Sequence, residues 1–186
     1  MSICLDSFPL VGLICPNSGI KWYEVGAIHE SPTPKWEIKK MFRGRFEHTI
    51  DTKGRTSIPS KFREILITNY DERLIITNFD NCLWAYPFAE WQAIENKVAA
   101  LPQFKKEVKA LQRVFISAAT ECPIDKQGRI LIPPTLRDYA GLKNNIVFVG
   151  MTKRIEIWSN DRWNEEFEKS QQHVTSDEAG LGDLGL

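Results

Sequence analysis

Polar and apolar residues alternate from Arg45 to Ile50 and again from Arg55 to Ile58, with Asp-Thr-Lys-Gly between the two runs. Period-two alternation interrupted by Asp and Gly predicts strand, tight turn, strand. Ser60 is placed to cap a short helix, and Phe62, Ile65 and Leu66 supply its apolar side. The apolar runs Arg73 to Thr77 and Cys82 to Tyr86 flank Asn78-Phe79-Asp80-Asn81 and predict a second hairpin. Beyond Pro87, the residues Phe88, Trp91, Ile94, Val98 and Leu101 recur at helical spacing. Pro102 ends that helix. Phe104, Val108, Leu111 and Phe115 predict another, with Lys105, Lys106, Lys109 and Arg113 on or near its other faces.

The same order of elements then restarts. A strand is expected from Ala119 to Ile124, a turn from Asp125 to Gly128, and a strand to Ile132. Thr135 to Ala140 reads as a short helix closed by Gly141, with Leu142 behind it. Asn145 to Gly150 and Arg154 to Trp158 make a matching hairpin, and Asn160 caps a last helix with Trp163 and Phe167 facing inward. The recurrence extends to the letters. Ile50-Asp51-Thr52-Lys53-Gly54-Arg55-Thr56-Ser57-Ile58-Pro59 returns 74 residues later as Ile124-Asp125-Lys126-Gln127-Gly128-Arg129-Ile130-Leu131-Ile132-Pro133. An Arg follows four residues beyond each Pro, at Arg63 and Arg137. Tyr86-Pro87…Trp91 and Trp158-Ser159…Trp163 stand 72 apart, so the copies differ by two residues in the loops between. Each copy carries four short strands and too little core to stand alone. The expectation is a β-rich α+β fold, with the two copies packed about a pseudo-twofold axis as one domain.

Residues 1–40 follow neither pattern. Pro9, Pro16, Pro32 and Pro34 break any periodicity, and Met1 to Leu5 lack the basic start of a signal peptide. Trp36-Glu37 must be encoded by TGG followed by GAA or GAG, which writes a purine-rich GGGA a short spacer ahead of the Met41 codon. Met41 is therefore the expected start, and 1–40 a disordered or non-native leader. The units are then 41–118 and 119–172, the second carrying the last helix, with 173–186 a flexible acidic tail.

Net charge over the 186 residues is zero, with 24 basic and 24 acidic side chains. Four of each lie in 1–40, and 160–186 holds seven acids against two bases, so 41–159 keeps 18 basic and 13 acidic residues. A local excess of that size points weakly to an anionic partner. Cys4, Cys15, Cys82 and Cys122 show no metal spacing and read as free thiols in a reducing compartment. No apolar run approaches the roughly 18 to 20 residues of a membrane span. His29, His48 and His173 are scattered and form neither a triad nor a metal cluster, so no catalytic residue, metal or cofactor is expected.

Candidate chemistry concentrates in the repeated turn. Gly54 and Gly128 supply positive φ, while Asp51 and Asp125 can accept from backbone N–H groups two or three residues on and fix the loop. Lys53, Arg55, Lys126 and Arg129 then project from two symmetry-related turns, as forks and point charges suited to phosphate or guanine edges. A purely structural hairpin, in which each Asp pairs with its own Arg, accounts for the motif equally well. Paired carboxylates for glycoside hydrolysis fit worse, because each Asp sits inside a tight turn beside lysine. The six tryptophans read as core and hairpin-to-helix contacts rather than a base-stacking platform, with Trp84 the one kept as a stacking candidate.

Met41-Phe42-Arg43-Gly44, followed by Asp51-x-Lys-Gly-Arg55-x-Ser-Ile-Pro59 and Asp125-x-x-Gly-Arg129, closely resembles the bacterial MraZ family, with similarity over essentially all of 41–186. The resemblance implies two tandem AbrB-like swapped-hairpin β-barrel units, joined in a ring-shaped homo-oligomer. It implies a sequence-specific, DNA-binding transcriptional regulator, cytoplasmic and nucleoid-associated, acting on repeats upstream of a division and cell-wall gene cluster. Double-stranded DNA is then the partner, with no small-molecule substrate. The family's DNA-contacting arginines map onto Arg55 and Arg129, with Lys53 their neighbour; Lys126 and Arg43 complete the expected DNA-facing set. The alternative is an oligomeric scaffold whose turns serve only the fold.

Overall fold

Residues 41–175 are described by a computed structural model. In order they form β1 (Phe42–Thr49), β2 (Arg55–Ser57), α1 (Ser60–Asn69), β3 (Arg73–Phe79), β4 (Cys82–Pro87) and α2 (Phe88–Ala99). Then come α3 (Lys106–Leu111), which runs into a π-helical stretch (Gln112–Ile116), β5 (Thr120–Pro123), β6 (Arg129–Leu131) and α4 (Pro134–Ala140). β7 (Asn145–Thr152), β8 (Arg154–Ser159) and α5 (Asn160–Thr175) complete the second repeat. The fold is α+β and strand-dominated, as the pattern predicts. Residues 1–40, including the expected leader, and the tail beyond 175 lie outside the described residues.

Six strands form one antiparallel sheet in the order β1-β7-β8-β4-β3-β5, and β2 and β6 form a separate two-stranded ladder. The first strand of each repeat pairs with the third strand of the other, so the copies are swapped rather than side by side. Register obeys the same symmetry. Thr49 pairs with Asn145, and its counterpart Pro123 pairs with Arg73, the counterpart of Asn145. The two-residue difference between the repeats is absorbed in loops and never reaches the ladders. On the pseudo-axis each residue faces its own equivalent: Thr56 opposite Ile130 in the ladder, Trp84 opposite Glu156 in the sheet.

That last pair cannot be symmetric in chemistry. Glu156 is buried on the axis, accepts from Arg154 Nη2 at 2.9 Å and from Trp158 Nε1 at 3.1 Å, and so has the partners that a buried carboxylate requires. The Arg154 guanidinium also lies 3.8 Å from the Trp84 ring centroid.

Strand alternation divides the apolar residues between two faces. One face joins Phe42, Leu74, Leu83, Ile146, Phe148 and Ile157 of the sheet to Ile58, Phe62, Ile130, Ile132 and Leu136 of the ladder and of α1 and α4, in one core built from both repeats. The other face carries Ile75, Tyr86, Trp91 and Phe115 under α2 and the π-helical stretch, and Cys82, Val147, Val149 and Trp158 beside Trp163 of α5. Burial pushes the Cys122 thiol up to about 11 and that of Cys82 higher still, so both are inert thiols rather than ligands.

Several local expectations shift. Pro59, not Ser60, occupies the cap position of α1, and the helix runs on to Asn69. The β3–β4 connection is a two-residue turn at Asp80 and Asn81 (φ 51° and 60°), because the strands extend through Asn78 and Phe79. Phe104 lies outside α3 and is 94% exposed. Gln103 explains it: its side-chain amide donates to the carbonyls of Val98, Ala99 and Leu101 at 2.8–3.0 Å, closing α2 and holding the next residue outward. Phe167 does not face inward either, since α5 buries no residue fully and Trp163 is only half-covered. The guanidinium of Arg45 lies over both rings, 4.5 Å from Phe167 and 5.7 Å from Trp163. α4 ends as expected: Gly141 is left-handed, its N–H reaches Asp138 O, and the Leu142 N–H reaches Arg137 O.

The swap converges on the two glycines. Ile132 N–H donates to Gly54 O at 2.8 Å, and Ile58 N–H donates to Gly128 O at 2.9 Å, so each repeat's turn is held by the strand end of the other. Gly54 has φ +86°, and a Cβ there would stand 2.7 Å from Ile132 O; Gly128 has φ +75°. Gly54→Ala is therefore expected to destabilise the fold by about 2 kcal/mol or more, combining left-handed strain with the backbone contact. Urea unfolding monitored by tryptophan fluorescence measures it, and a loss below about 0.5 kcal/mol would contradict this account of the turn.

Candidate nucleic-acid interface

In the first turn Asp51 Oδ1 accepts from the backbone N–H of Lys53 at 2.9 Å and of Arg55 at 2.8 Å. Its Oδ2 accepts from Arg55 Nε at 2.8 Å and pairs with Nη2 at 2.7 Å. Asp51 N–H returns to Arg55 O, and Gly54 N–H to Asp51 O, both at 2.9 Å. The second turn repeats every contact. Asp125 Oδ1 accepts from Gln127 and Arg129 N–H at 2.9 Å, and Oδ2 from Arg129 Nε at 2.9 Å and Nη2 at 2.8 Å. One carboxylate thus braces both the backbone of its loop and the arginine that leaves it, which is why Asp is needed four residues before Arg.

These bonds act on the charged carboxylates. The Arg55 backbone N–H, more than the Arg55 side chain, holds the Asp51 carboxyl below its ordinary range, and Arg129 does the same to Asp125; partial burial opposes both. The ion pair seen in each turn is the one a structural hairpin would contain. It also leaves Nη1 of each guanidinium outside the carboxylate contact, on a side chain whose direction is set.

The ladder places the two arginines together. Thr56 and Ile130 point into the core, so Arg55, Ser57, Arg129 and Leu131 share the outward face. Arg55 opposes Leu131 and Arg129 opposes Ser57, a diagonal relation that puts the two arginine Cα atoms about 8 Å apart. Lys53 and Lys126 are exposed on the adjoining loops. The outward face of the ladder and its two adjoining turns therefore carry four of the five expected cations.

Arg43 is the fifth, and it is not brought there. It sits near the start of β1, opposite Met151, with the strand's remaining length of roughly 20 Å between it and the turn. Trp84 also lies elsewhere, on the sheet face away from the ladder, packed against Phe79, Tyr86 and Phe115 and covered by Arg154. The basic helix carrying Lys105, Lys106, Lys109 and Arg113 rides on that same far face through Phe115. His48 is half-buried against Phe148 at 5.5 Å, and burial lowers its pKa. No group of three or more His, Cys, Asp or Glu side chains is placed to hold a metal among the described residues.

Two arginines enter the site that the turn motif alone does not assign. Arg137 of α4 lies against Gly54, its Nε 2.8 Å from where a Cβ would stand, and Arg63 of α1 lies in the same way against Gly128. Their shared position four residues after the repeated Pro is visible in the chain. Their crossing to the opposite repeat's turn follows only from the swap.

Comparison with known proteins agrees in extent and in period. A family model described as "MraZ protein, putative antitoxin-like" matches twice in tandem, over residues 41–114 and 115–182. The chain is 48% identical over 131 residues to the "Transcriptional regulator MraZ" of Caldanaerobacter subterraneus subsp. tengcongensis, covering 70% of this chain and 88% of that one. It is 45% identical over 142 residues to the protein of the same name from Thermoanaerobacter sp., at 72% and 96% coverage. The likeness to the Pediococcus pentosaceus protein of that name is 42% over 146 residues, covering 78% of this chain and all of the relative. A duplicated Asp-x-x-Gly-Arg turn, strands exchanged between two copies, and a tandem family match at the same period agree: this chain belongs to the MraZ family.

Proposed function

We propose that this chain is a sequence-specific, DNA-binding transcriptional regulator that reads short direct repeats upstream of a division and cell-wall gene cluster. The observation that carries the reading is the patch above the ladder. Arg55 and Arg129 leave adjacent antiparallel strands on one face, each with its direction fixed by an aspartate, and Lys53 and Lys126 flank them. A fixed guanidinium loses little conformational freedom on binding, and a planar fork suits a phosphate or a guanine edge. The relatives named as transcriptional regulators support the same role.

The patch is small, and DNA binding built on a few phosphate contacts is weak and strongly salt-dependent. A homo-oligomeric ring that presents several copies to an array of repeats raises avidity by roughly 10² to 10⁴ without any new contact. Assembly is therefore part of the proposal, as is a cytoplasmic, nucleoid-associated location. No catalytic role and no small-molecule substrate are proposed.

A second reading, the oligomeric scaffold, has one observation in its favour. Each turn arginine already has an intramolecular carboxylate partner, so the motif is satisfied without DNA. The two readings part on the effect of removing the side chain.

Arg55→Ala and Arg129→Ala are each expected to weaken binding to a duplex from the chain's own upstream region by about tenfold or more, with the oligomer intact on size exclusion. Gel-shift titration against that duplex and a scrambled one measures it; unchanged affinity in both variants, or loss of assembly in both, favours the scaffold. The turns also make a prediction about acid. Because the folded-state carboxyls titrate below the ordinary Asp value of 3.8, their stabilisation is present above that value and disappears as pH falls through the lowered one. NMR titration should place both midpoints under 3.8, and Arg55→Ala should raise that of Asp51 in part while leaving Asp125 unmoved. Midpoints at or above the ordinary value would contradict the hydrogen-bonding scheme.

A further inference from the structure

The repeated frame includes an arginine four residues beyond each Pro, and the turn contacts described above do not use it. Arg63 and Arg137 each occupy the fourth residue of a helix, α1 and α4, near the positive end of the helix dipole, and neither helix has an acidic residue in its first turn. The Nε–H of both is sealed from solvent and has no hydrogen-bond partner. Neither side chain makes an ion pair among the described residues. An unpartnered guanidinium held at the wrong end of a helix opposes folding, and here the arrangement occurs twice at equivalent positions.

The location of each guanidinium accounts for the arrangement. Arg63 lies against Gly128, its Cδ and Cζ 2.6 and 2.8 Å from where a Cβ would stand, at the residue that precedes Arg129 in the chain. Arg137 lies against Gly54, with Nε and Cζ 2.8 and 3.0 Å from the corresponding point, at the residue that precedes Arg55 in the chain. Only glycine leaves room for this close approach, so the glycine serves the opposite arginine as well as its own turn. Both arginines keep partial exposure. Charge makes the same point. Asp51 and Asp125 neutralise Arg55 and Arg129, so the uncompensated positive charge of the patch rests on Lys53, Lys126, Arg63 and Arg137.

We propose that Arg63 and Arg137 are backbone-phosphate contacts for DNA, each completing the turn of the other repeat, so that Arg63 works with Arg129 and Arg137 with Arg55. This rests on the DNA-binding reading of the same patch. It divides the labour within it: the aspartate-braced arginines orient, and the arginines behind the glycines supply the missing counter-charge. Each of the two phosphate sites is then a composite of both repeats, and a single repeat contains no complete one.

Fluorescence-anisotropy titration of a labelled duplex from the chain's own upstream region, at several salt concentrations between about 50 and 200 mM, tests it. Arg63→Gln and Arg137→Gln should each reduce the slope of log affinity against log salt by about 0.9 for every phosphate that is no longer neutralised. Arg63→Met and Arg137→Met keep the packing against the glycine and remove the charge; they should give the same reduced slope, and they carry the test if the Gln variants fail to fold. Arg63→Gln combined with Arg129→Ala should lose less affinity than the two single losses together, whereas Arg63→Gln with Arg55→Ala should lose their sum in log units. Folded variants whose slope equals that of the parent, or coupling of Arg63 to Arg55 instead of Arg129, would overturn the proposal. Those results with Arg55→Ala and Arg129→Ala still deficient leave the DNA-binding reading standing; a parent chain that binds operator and scrambled duplex alike, with both turn variants unaffected, removes both.

Discussion

The constraint on which the rest of this fold depends is the reciprocal closure of the two turns. Gly54 accepts from Ile132 and Gly128 accepts from Ile58, so neither turn is complete without the other repeat. The same exchange places β1 beside β7 and β5 beside β3, and it draws Ile58, Phe62, Ile130, Ile132 and Leu136 into one core with residues of both copies. A repeat taken alone would leave those donors, acceptors and apolar surfaces without partners, and a unit of that size cannot absorb such costs. Folding and the making of the surface above the ladder are one event.

From that closure follow both the geometry and the electrostatics of the patch. Thr56 and Ile130 face inward on the pseudo-axis, which turns Arg55 and Arg129 outward together. The aspartates use their charge within the turns, holding backbone amides and the arginine of the same loop, so the orienting residues add little net positive charge. What remains positive near the axis comes from lysines on the loop tips and from two arginines sent across from the opposite repeat. The far side of the sheet is built differently. There Glu156, Arg154 and Trp84 occupy the axis as an unlike set, and unlike helices cover the two halves. Symmetry is kept at the pole where equivalent turns face a common surface and relaxed on the side where different helices must pack.

The expectations that failed share a cause. Phe104 and Phe167 have helical spacing, yet spacing reports only which side of a helix is apolar and not whether anything covers it. Phe104 is held out of α3 by a Gln103 side chain that satisfies the end of α2, a contact between neighbours that no periodicity encodes. Phe167 lies under an arginine of β1, more than 100 residues earlier in the chain. The positions of Arg43 and of the lysines of the 104–118 segment relative to the turns are a separate matter, set by the tertiary structure: strand length separates the first from the turns and the sheet's two faces separate the others.

The sequence by itself determined the strands, the turns and their braces, because these rest on contacts between residues two to four apart: Asp51 to Lys53 and Arg55, Asp125 to Gln127 and Arg129, Gly141 at the end of α4. The spacing of the copies, 74 residues at the turns and 72 at the hairpins, also carried the pseudo-twofold, since equivalent segments make equivalent contacts. Only the tertiary structure decided which repeat completes which turn, that Arg55 and Arg129 share a face, and that Arg63 and Arg137 cross over to stand behind the opposite glycines. Those relations join residues about 70 positions apart, and long-range pairing is chosen by the burial of a shared core, a property of the whole chain that no local pattern contains.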